Sequence, residues 1–281
     1  AWKKRDVLNA SEYALMINEG AINAGIAPKF SDPYSYGQGT NWQDEVFNNN
    51  APMMNHQVSV SGASEKVNYL FSLGFYTQDG IVGGNFDRSN YERLTLRSNT
   101  QYTLFDESKE RNWLNSLKVT SNLSYARIKS TNFDDNSTWG TPLGSALALS
   151  PILNVYDETE EAIKAQFDKY GTTAEYTPVY DPRNGKLFSI PGEFGEMSNP
   201  IAKLSLPGDK HWSHKFVANF SAELQLWDNL KFKTSYGADL SFWGYDGYRP
   251  LYYLRSGESS TQSSAYSRKE DGTVWQLENV L

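Results

Sequence analysis

The sequence contains no cysteine, and this absence excludes a disulfide framework and a metal site with thiolate ligands. It also has no dense run of lysine and arginine. Its 26 basic residues against 33 acidic ones give a net charge of −7, which argues against nucleic-acid binding. No apolar run approaches the length of a transmembrane helix. The first ten residues, AWKKRDVLNA, have no apolar core, so we do not expect them to form a signal peptide.

Sequence motifs of enzyme active sites are missing as well. No G-x-S-x-G, phosphate-binding loop or G-x-G-x-x-G motif occurs in a supporting context. Glu193 and Glu196 would suit a hydrolase, but in a glycine-rich loop they lack the fixed separation that glycosidase chemistry requires. His211 and His214 begin a predicted strand and would point to opposite faces, and NFDDNS (132–137) lacks EF-hand spacing. We therefore expect no catalytic residue, no metal site and no cofactor.

Two helices are predicted from terminal signals. The first lies in LNASEYALMINEGAINAG, with Asn9 as its N-cap, Glu12 three residues later and Gly20 as its end. The second lies in DETEEAIKAQFDKYG and ends at Gly171. Both are short, so helices contribute little to the predicted fold.

Alternation of apolar and polar residues dominates the rest of the chain, which is rich in aromatic side chains at 14%. In VNYLFSLGFY the apolar residues Val67, Phe71 and Phe75 share one face, and Asn68 and Ser72 share the other. About seven such strands are predicted, most of them near the roughly 9–11 residues that a tilted strand needs to cross hydrocarbon. The predicted strands lie within residues 57–61, 67–76, 91–105, 117–126, 216–227, 230–243 and 273–281.

Loop length alternates along the chain. The connections at 62–66, 105–115 and 227–229 are shorter than those at 78–90, 128–215 and 243–273. Long connections are uncommon in compact soluble domains, whereas outer-membrane barrels have long extracellular loops at one rim and short turns at the other. This pattern predicts an all-β fold: an antiparallel up-and-down meander, part of a large transmembrane β-barrel, with long extracellular loops that contain short helices.

Two alternatives and one set of candidate site residues remain open at this point. A secreted soluble β-sandwich that binds glycans would show the same alternation, and a hydrolase would use Glu193 and Glu196. Aromatic side chains of the long loops can bind sugars or peptides by ring stacking, or can simply pack the loops together. The candidates for substrate binding are Trp139, Trp243, Tyr245 and Tyr248.

Several segments resemble, in the same order, the SusC/RagA-like TonB-linked outer-membrane transporters of Bacteroidetes. These are LNASEYALMINEG (8–20), NWQDEVF (41–47), APMMNHQVSVSGASEKVNYLFSLGFYTQDGIV (51–82), FDRSNYERLTLRSN (86–99), NPIAKL (199–204) and WQLEN (275–279).

The resemblance implies a plugged barrel of the 22-stranded type in the bacterial outer membrane. Such a barrel imports oligosaccharides or peptides, is energised through TonB and is covered by a SusD-like surface lipoprotein. Residues 1–281 would then form about seven barrel strands. The plug domain and the other strands would belong to a longer protein.

Overall fold

Antiparallel strands dominate the computed structural model, which describes residues 4–106, 113–133, 140–192 and 197–281. Seven strands form one sheet in the order β1-β2-β3-β4-β5-β6-β9, and a small hairpin, β7-β8, lies within the connection between β6 and β9. The up-and-down meander expected from the sequence is therefore confirmed. The strands are β1 (Met53–Ala63), β2 (Val67–Gln78), β3 (Tyr91–Phe105), β4 (Ser116–Thr131), β5 (Lys210–Trp227), β6 (Leu230–Arg249), β7 (Tyr252–Arg255), β8 (Glu258–Ser260) and β9 (Ser264–Val280).

The strands are longer than the alternation predicted. The prediction ended β6 at residue 243 and began the next strand at residue 273, but β6 continues to Arg249 and pairs there with Ser264 of β9. The reason is that the apolar run on this face of β6 is broken after Phe242 by Gly244 and Asp246, and only Tyr248 follows them. The hydrophobic signal therefore ends before the hydrogen-bonded ladder does.

The two faces of the sheet differ in chemistry along its whole width. On the apolar face one row of cross-strand neighbours consists of Val58, Leu73, Leu96, Tyr125, Phe216 and Leu240. These side chains line an open trough of about 670 Å³. The opposite face is polar, with Ser59 bonded to Ser72 over 3.0 Å and Lys215 paired with Asp239 over 2.9 Å. In the described part of the chain the strands form no second large sheet that could cover the apolar face as in a sandwich.

The buried apolar core of the chain lies in its long connections. The segment before β1, the β2–β3 and β4–β5 connections and the β6–β9 connection together bury one cluster, which we call the loop cap. Its buried members are Trp42, Val46, Val82, Ala146, Leu149, Val179, Phe188, Met197, Ile201, Ala202, Leu204 and Leu254. The long connections therefore fold as a unit at one end of the sheet, while the short turns occupy the other end.

Five α-helices of the described residues lie in these connections: α1 (Ala10–Asn23), α2 (Trp42–Val46), α3 (Pro142–Ala148), α4 (Glu160–Tyr170) and α5 (Pro200–Ser205). The predicted capping box of Asn9 and Glu12 is confirmed, but the end predicted at Gly20 is wrong, because α1 continues to Asn23. Gly25, with φ of +72°, follows this end in the left-handed conformation that glycine adopts without strain. The second predicted helix is α4, and it ends before Gly171 as expected. None of the described helices is long and apolar enough to cross a membrane.

The buried carboxylate of Asp181 helps to join the β4–β5 and β2–β3 connections within the loop cap. Asp181 is fully buried and accepts hydrogen bonds from Arg183 Nη2 at 2.7 Å and from the Tyr156 hydroxyl at 2.6 Å. The Arg183 guanidinium lies 3.8 Å from the ring centroid of Phe86, which belongs to the β2–β3 connection. Burial would raise the pKa of Asp181, but the hydrogen bonds from Arg183 and Tyr156 and the charge of Arg183 outweigh it and lower the pKa to about 2.

The core position of Leu204 yields a prediction. Leu204 is 1% exposed, so Leu204→Ala should leave a cavity and destabilise the loop cap by about 2–5 kcal/mol. Hydrogen exchange of the loop-cap amides in the intact protein measures this loss. The control is Leu147→Ala in α3, where the side chain is 53% exposed and we expect a change within about 0.5 kcal/mol. Equal effects of the two changes would contradict the proposed core.

The low pKa of Asp181 yields a second prediction. Its ordinary value is 3.8 and its value in the fold is about 2, so the ionised carboxylate stabilises the loop cap above pH 3.8. This stabilisation is lost as the pH falls from 3.8 through 2. Pepsin should therefore cleave Asp181→Asn faster than the unmodified protein at pH 4, and the difference should vanish near pH 2. A ratio of cleavage rates that is constant across this range would contradict the role of Asp181. Glu158→Gln, which removes an exposed partner of Lys186, is the control.

Candidate functional site

The candidate site lies on the polar face of β5, β6 and β9, next to the loop cap. Trp243 and Tyr245 are two residues apart in β6 and therefore share this face. The register places Glu270 of β9 opposite Trp243, and Arg268 opposite Tyr245. Tyr266 lies opposite Gly247 in the next row of the same face. We call the group formed by Trp243, Tyr245, Tyr266, Arg268 and Glu270 the aromatic platform.

Trp243 is fixed by a hydrogen bond and by a glycine. Its indole Nε1 donates to Glu270 Oε2 at 2.7 Å, and Arg268 Nε donates to Glu270 Oε1 at 3.0 Å. A Cβ atom at Gly272 would lie only 3.3 Å from the six-membered ring of Trp243, so this ring lies across the glycine backbone. The indole still exposes 40% of its surface. The ring is therefore held in one orientation and remains accessible.

Tyr266 is placed in a comparable way. Its hydroxyl donates to Asp209 Oδ1 at 2.6 Å, and a Cβ atom at Gly247 would lie within 2.2 Å of its ring. The ring thus occupies the space that a side chain at position 247 would fill. Tyr245 lies in the row between those of Trp243 and Tyr266. Its ring centroid is 6.1 Å from that of Tyr266 and 5.5 Å from that of His211.

A cleft of about 450 Å³ adjoins the platform where the sheet meets the loop cap. Tyr266 lines both the platform and this cleft, and Tyr248 and Arg249 lie at its wall. Arg88 also lines the cleft and donates to the backbone carbonyl of Leu206. Burial lowers the pKa of Arg88, while the nearby charge of Asp209 acts in the opposite direction.

The structure separates the four aromatic candidates predicted from the sequence. Trp139 lies outside the described residues. Trp243 and Tyr245 lie together in β6, whereas the sequence predicted Trp243 at the boundary of strand and loop and Tyr245 within the loop. Tyr248 belongs to the same strand with the opposite parity, so it points away from Trp243 and Tyr245. The predicted loop location is wrong because β6 and β9 extend beyond the apolar part of the sheet.

The platform residues of β9 were not among the residues predicted from the sequence. Tyr266, Arg268 and Glu270 fall in a segment that was assigned to a long loop. No period-two signal was available there, because in SAYSRKEDG (264–272) both faces of the strand carry polar or charged side chains.

The predicted hydrolytic and metal-binding candidates do not form a site in the described residues. Glu193, Glu196 and most of NFDDNS lie outside the described residues. His211 and His214 point to opposite faces of β5 because they differ in parity. Among the residues that the structure describes, no group of three or more His, Cys, Asp or Glu side chains could hold a metal ion.

The chain is similar in sequence to TonB-dependent receptors. It is 27% identical over 233 residues to the TonB-dependent receptor SusC of Bacteroides thetaiotaomicron, and the match covers 80% of this chain and 20% of SusC. A TonB-dependent receptor of Formosa agariphila is 31% identical over 215 residues, which cover 76% of this chain and 17% of the relative. The chain thus spans a fifth or less of the length of these relatives.

The fold is similar to that of solved importers. The solved structure of the RagAB peptide transporter matches 98% of this chain and 30% of its own chain, with a TM-score of 0.65 and 17% identity. The RagAB peptide importer in the "closed-closed" state matches 99% of this chain and 28% of its own, with a TM-score of 0.61 and 18% identity. No protein-family model matches the chain. In sequence and in fold, the chain therefore matches part of the SusC/RagA-like TonB-dependent receptors.

Proposed function

We propose that residues 1–281 form an arc of the barrel of a bacterial outer-membrane importer for oligosaccharides or peptides. The plug domain and the remaining barrel strands would be contributed by chain outside these 281 residues. The observation that carries this proposal is the apolar face of the seven-stranded sheet, whose large side chains stay exposed while the chain builds its core elsewhere. Such a face requires an apolar environment, and the hydrocarbon of a bilayer provides one.

The height of the apolar face supports contact with lipid. In β6 the apolar side chains of this face run from Phe232 to Phe242, and in β2 they run from Val67 to Phe75. These stretches match the roughly 9–11 residues with which a tilted strand crosses hydrocarbon. The edges β1 and β9 have no outer strand partner in the described residues, as expected of an arc that other strands complete.

The partners follow from the same proposal. The long connections would face the cell exterior, so a SusD-like surface lipoprotein would contact the loop cap. Energy would come from the TonB complex through chain outside this segment. Trp243 and Tyr245 remain candidates for contact with the imported substrate, and Tyr248 remains a candidate as part of the cleft wall.

A non-enzymatic role remains our expectation. The relatives are named as receptors, and the hydrolase alternative depends on Glu193 and Glu196, outside the described residues. The secreted sandwich alternative requires a second sheet over the apolar face, and the sheet topology of the described residues argues against it.

A charge on the apolar face separates the membrane interpretation from the sandwich. Phe220 is 45% exposed on this face, so Phe220→Arg should destabilise the barrel in a bilayer by about 2–4 kcal/mol. Asn219→Arg, one residue earlier on the polar face, should change stability far less. The measurement is a denaturant titration of the complete barrel folded into lipid vesicles. A folded, lipid-free protein in which Phe220→Arg alone blocks folding would favour the sandwich.

Import itself is tested in the native bacterium. Deletion of the gene for the complete receptor should abolish growth on an oligosaccharide or peptide at low concentration, and growth on the corresponding monomer should continue. Fractionation should locate the receptor in the outer membrane. A receptor found only in the secreted or soluble fraction would contradict the proposal.

A further inference from the structure

We propose that the aromatic platform is a binding site for a hydroxyl-rich, uncharged oligosaccharide. This inference rests on the proposed importer, because it places the ligand on the inner wall of the barrel. It adds the residues that bind the ligand and the chemical class that they select. Four features of the site carry it: the orientation of the rings, the polar groups beside them, the balance of charge and the position in the barrel wall.

The orientation of the rings suits stacking on a sugar. Gly272 and Gly247 leave room for Trp243 and Tyr266 to lie along the sheet instead of standing out from it. Each of these two rings exposes 40% of its surface. A pyranose ring has one face made mainly of C–H groups, and such a face packs against a flat aromatic ring without desolvating the sugar hydroxyls. An aromatic ring held flat and accessible is therefore suited to a saccharide.

The ion pair beside the rings supplies hydrogen-bonding groups for hydroxyls. Arg268 carries five N–H donors; it bonds Glu270 through Nε and Nη2 and also bonds Tyr245, which leaves further donors for a ligand. Glu270 accepts two bonds from Arg268 on Oε1 and one from Trp243 on Oε2, so Oε2 still has acceptor capacity. A donor fork beside a carboxylate can bind two neighbouring hydroxyl groups of one sugar at the same time.

The charge of the platform favours an uncharged ligand. Arg268 and Glu270 neutralise each other at 2.5 Å, so neither charge is left to attract an ionised group. A peptide, with its charged ends, gains nothing from this pair. Peptides also bind by adding a strand to a free sheet edge, and β6 is hydrogen-bonded on both sides by β5 and β9.

The platform lies in the wall just beyond the apolar belt. The continuous apolar run on the outward face of β6 ends at Phe242, before Gly244 and Asp246, and the platform starts at Trp243 on the inward face. The three rows at Trp243, Tyr245 and Gly247 extend roughly 13 Å at about 3.3 Å per residue. In the last row, Tyr266 also lines the cleft next to the loop cap. This length suits an oligomer, and the position allows contact before passage through the barrel.

The test uses the complete receptor, purified in detergent, on an array of neutral oligosaccharides and an array of peptides of mixed sequence. We expect saccharide binding, and we expect Trp243→Ala to weaken it by about tenfold. Arg268→Met should weaken it to a similar extent, whereas Trp243→Phe, which keeps a ring, should retain most of the affinity. The matched control is Trp227→Ala at the short-turn end of β5, where an indole is 54% exposed and far from the platform along the strand.

The outcomes separate this inference from the proposed importer. Loss of saccharide binding in Trp243→Ala and Arg268→Met, with normal barrel folding on a heat-modifiability gel, supports the platform. Saccharide binding that is unchanged in both variants overturns it, and so does a receptor that binds peptides but no saccharide on the arrays. Either of the last two results leaves outer-membrane import intact, because that is tested by localisation and growth. Equal loss in Trp227→Ala would also overturn the platform, since the effect would then not depend on its position.

Discussion

The register of the seven strands is the constraint on which the rest of the structure depends. Side chains alternate between the faces with a period of two, so a slip of one residue would exchange the faces of a strand. Such a slip in β6 would move Asp239 to the apolar face and Leu240 to the polar one. The apolar face has no protein layer over it in the described residues. The cost of such a slip is therefore the contact of a charged side chain with the medium around that face. The alternation is therefore kept through most of the apolar part of the sheet, and the polar residues on its apolar face, such as Ser98 and Thr100 in β3, are small and uncharged.

In this chain the apolar face of the sheet and the buried core are separate, whereas a soluble β-domain uses the one to form the other. In a soluble β-protein the apolar face of a sheet forms the core, and the loops remain at the surface. Here the apolar face of the sheet is not covered by another sheet in the described residues, and the connections bury their own cluster around Leu204 and Trp42. The polar face of the sheet contributes neither to the exposed apolar surface nor to the buried core. It can therefore carry an accessible group such as Trp243 with Glu270 without weakening either the apolar face or the loop cap.

The sequence predicted what depends on local pattern and missed what depends on distant pairing. The faces of β2, the capping box at Asn9 and the alternation of loop lengths all follow from neighbouring residues, and the structure agrees with them. The hydrogen bond from Trp243 to Glu270 joins residues 27 positions apart, and only the register of β6 with β9 brings them together. The burial of Leu204 beside residues of other connections has no periodic signal either, because α5 is only six residues long.

The loop cap draws its buried residues from three connections and the segment before β1, and this has a consequence for motion at that end of the sheet. Val82 comes from one connection, Ile201 from a second, Leu254 from a third and Trp42 from the segment before β1. Displacement of any one of them exposes apolar surface belonging to the other three, so the free energies of opening are shared among them. Independent opening of single connections is thus suppressed, and the loop cap opens as one cooperative unit.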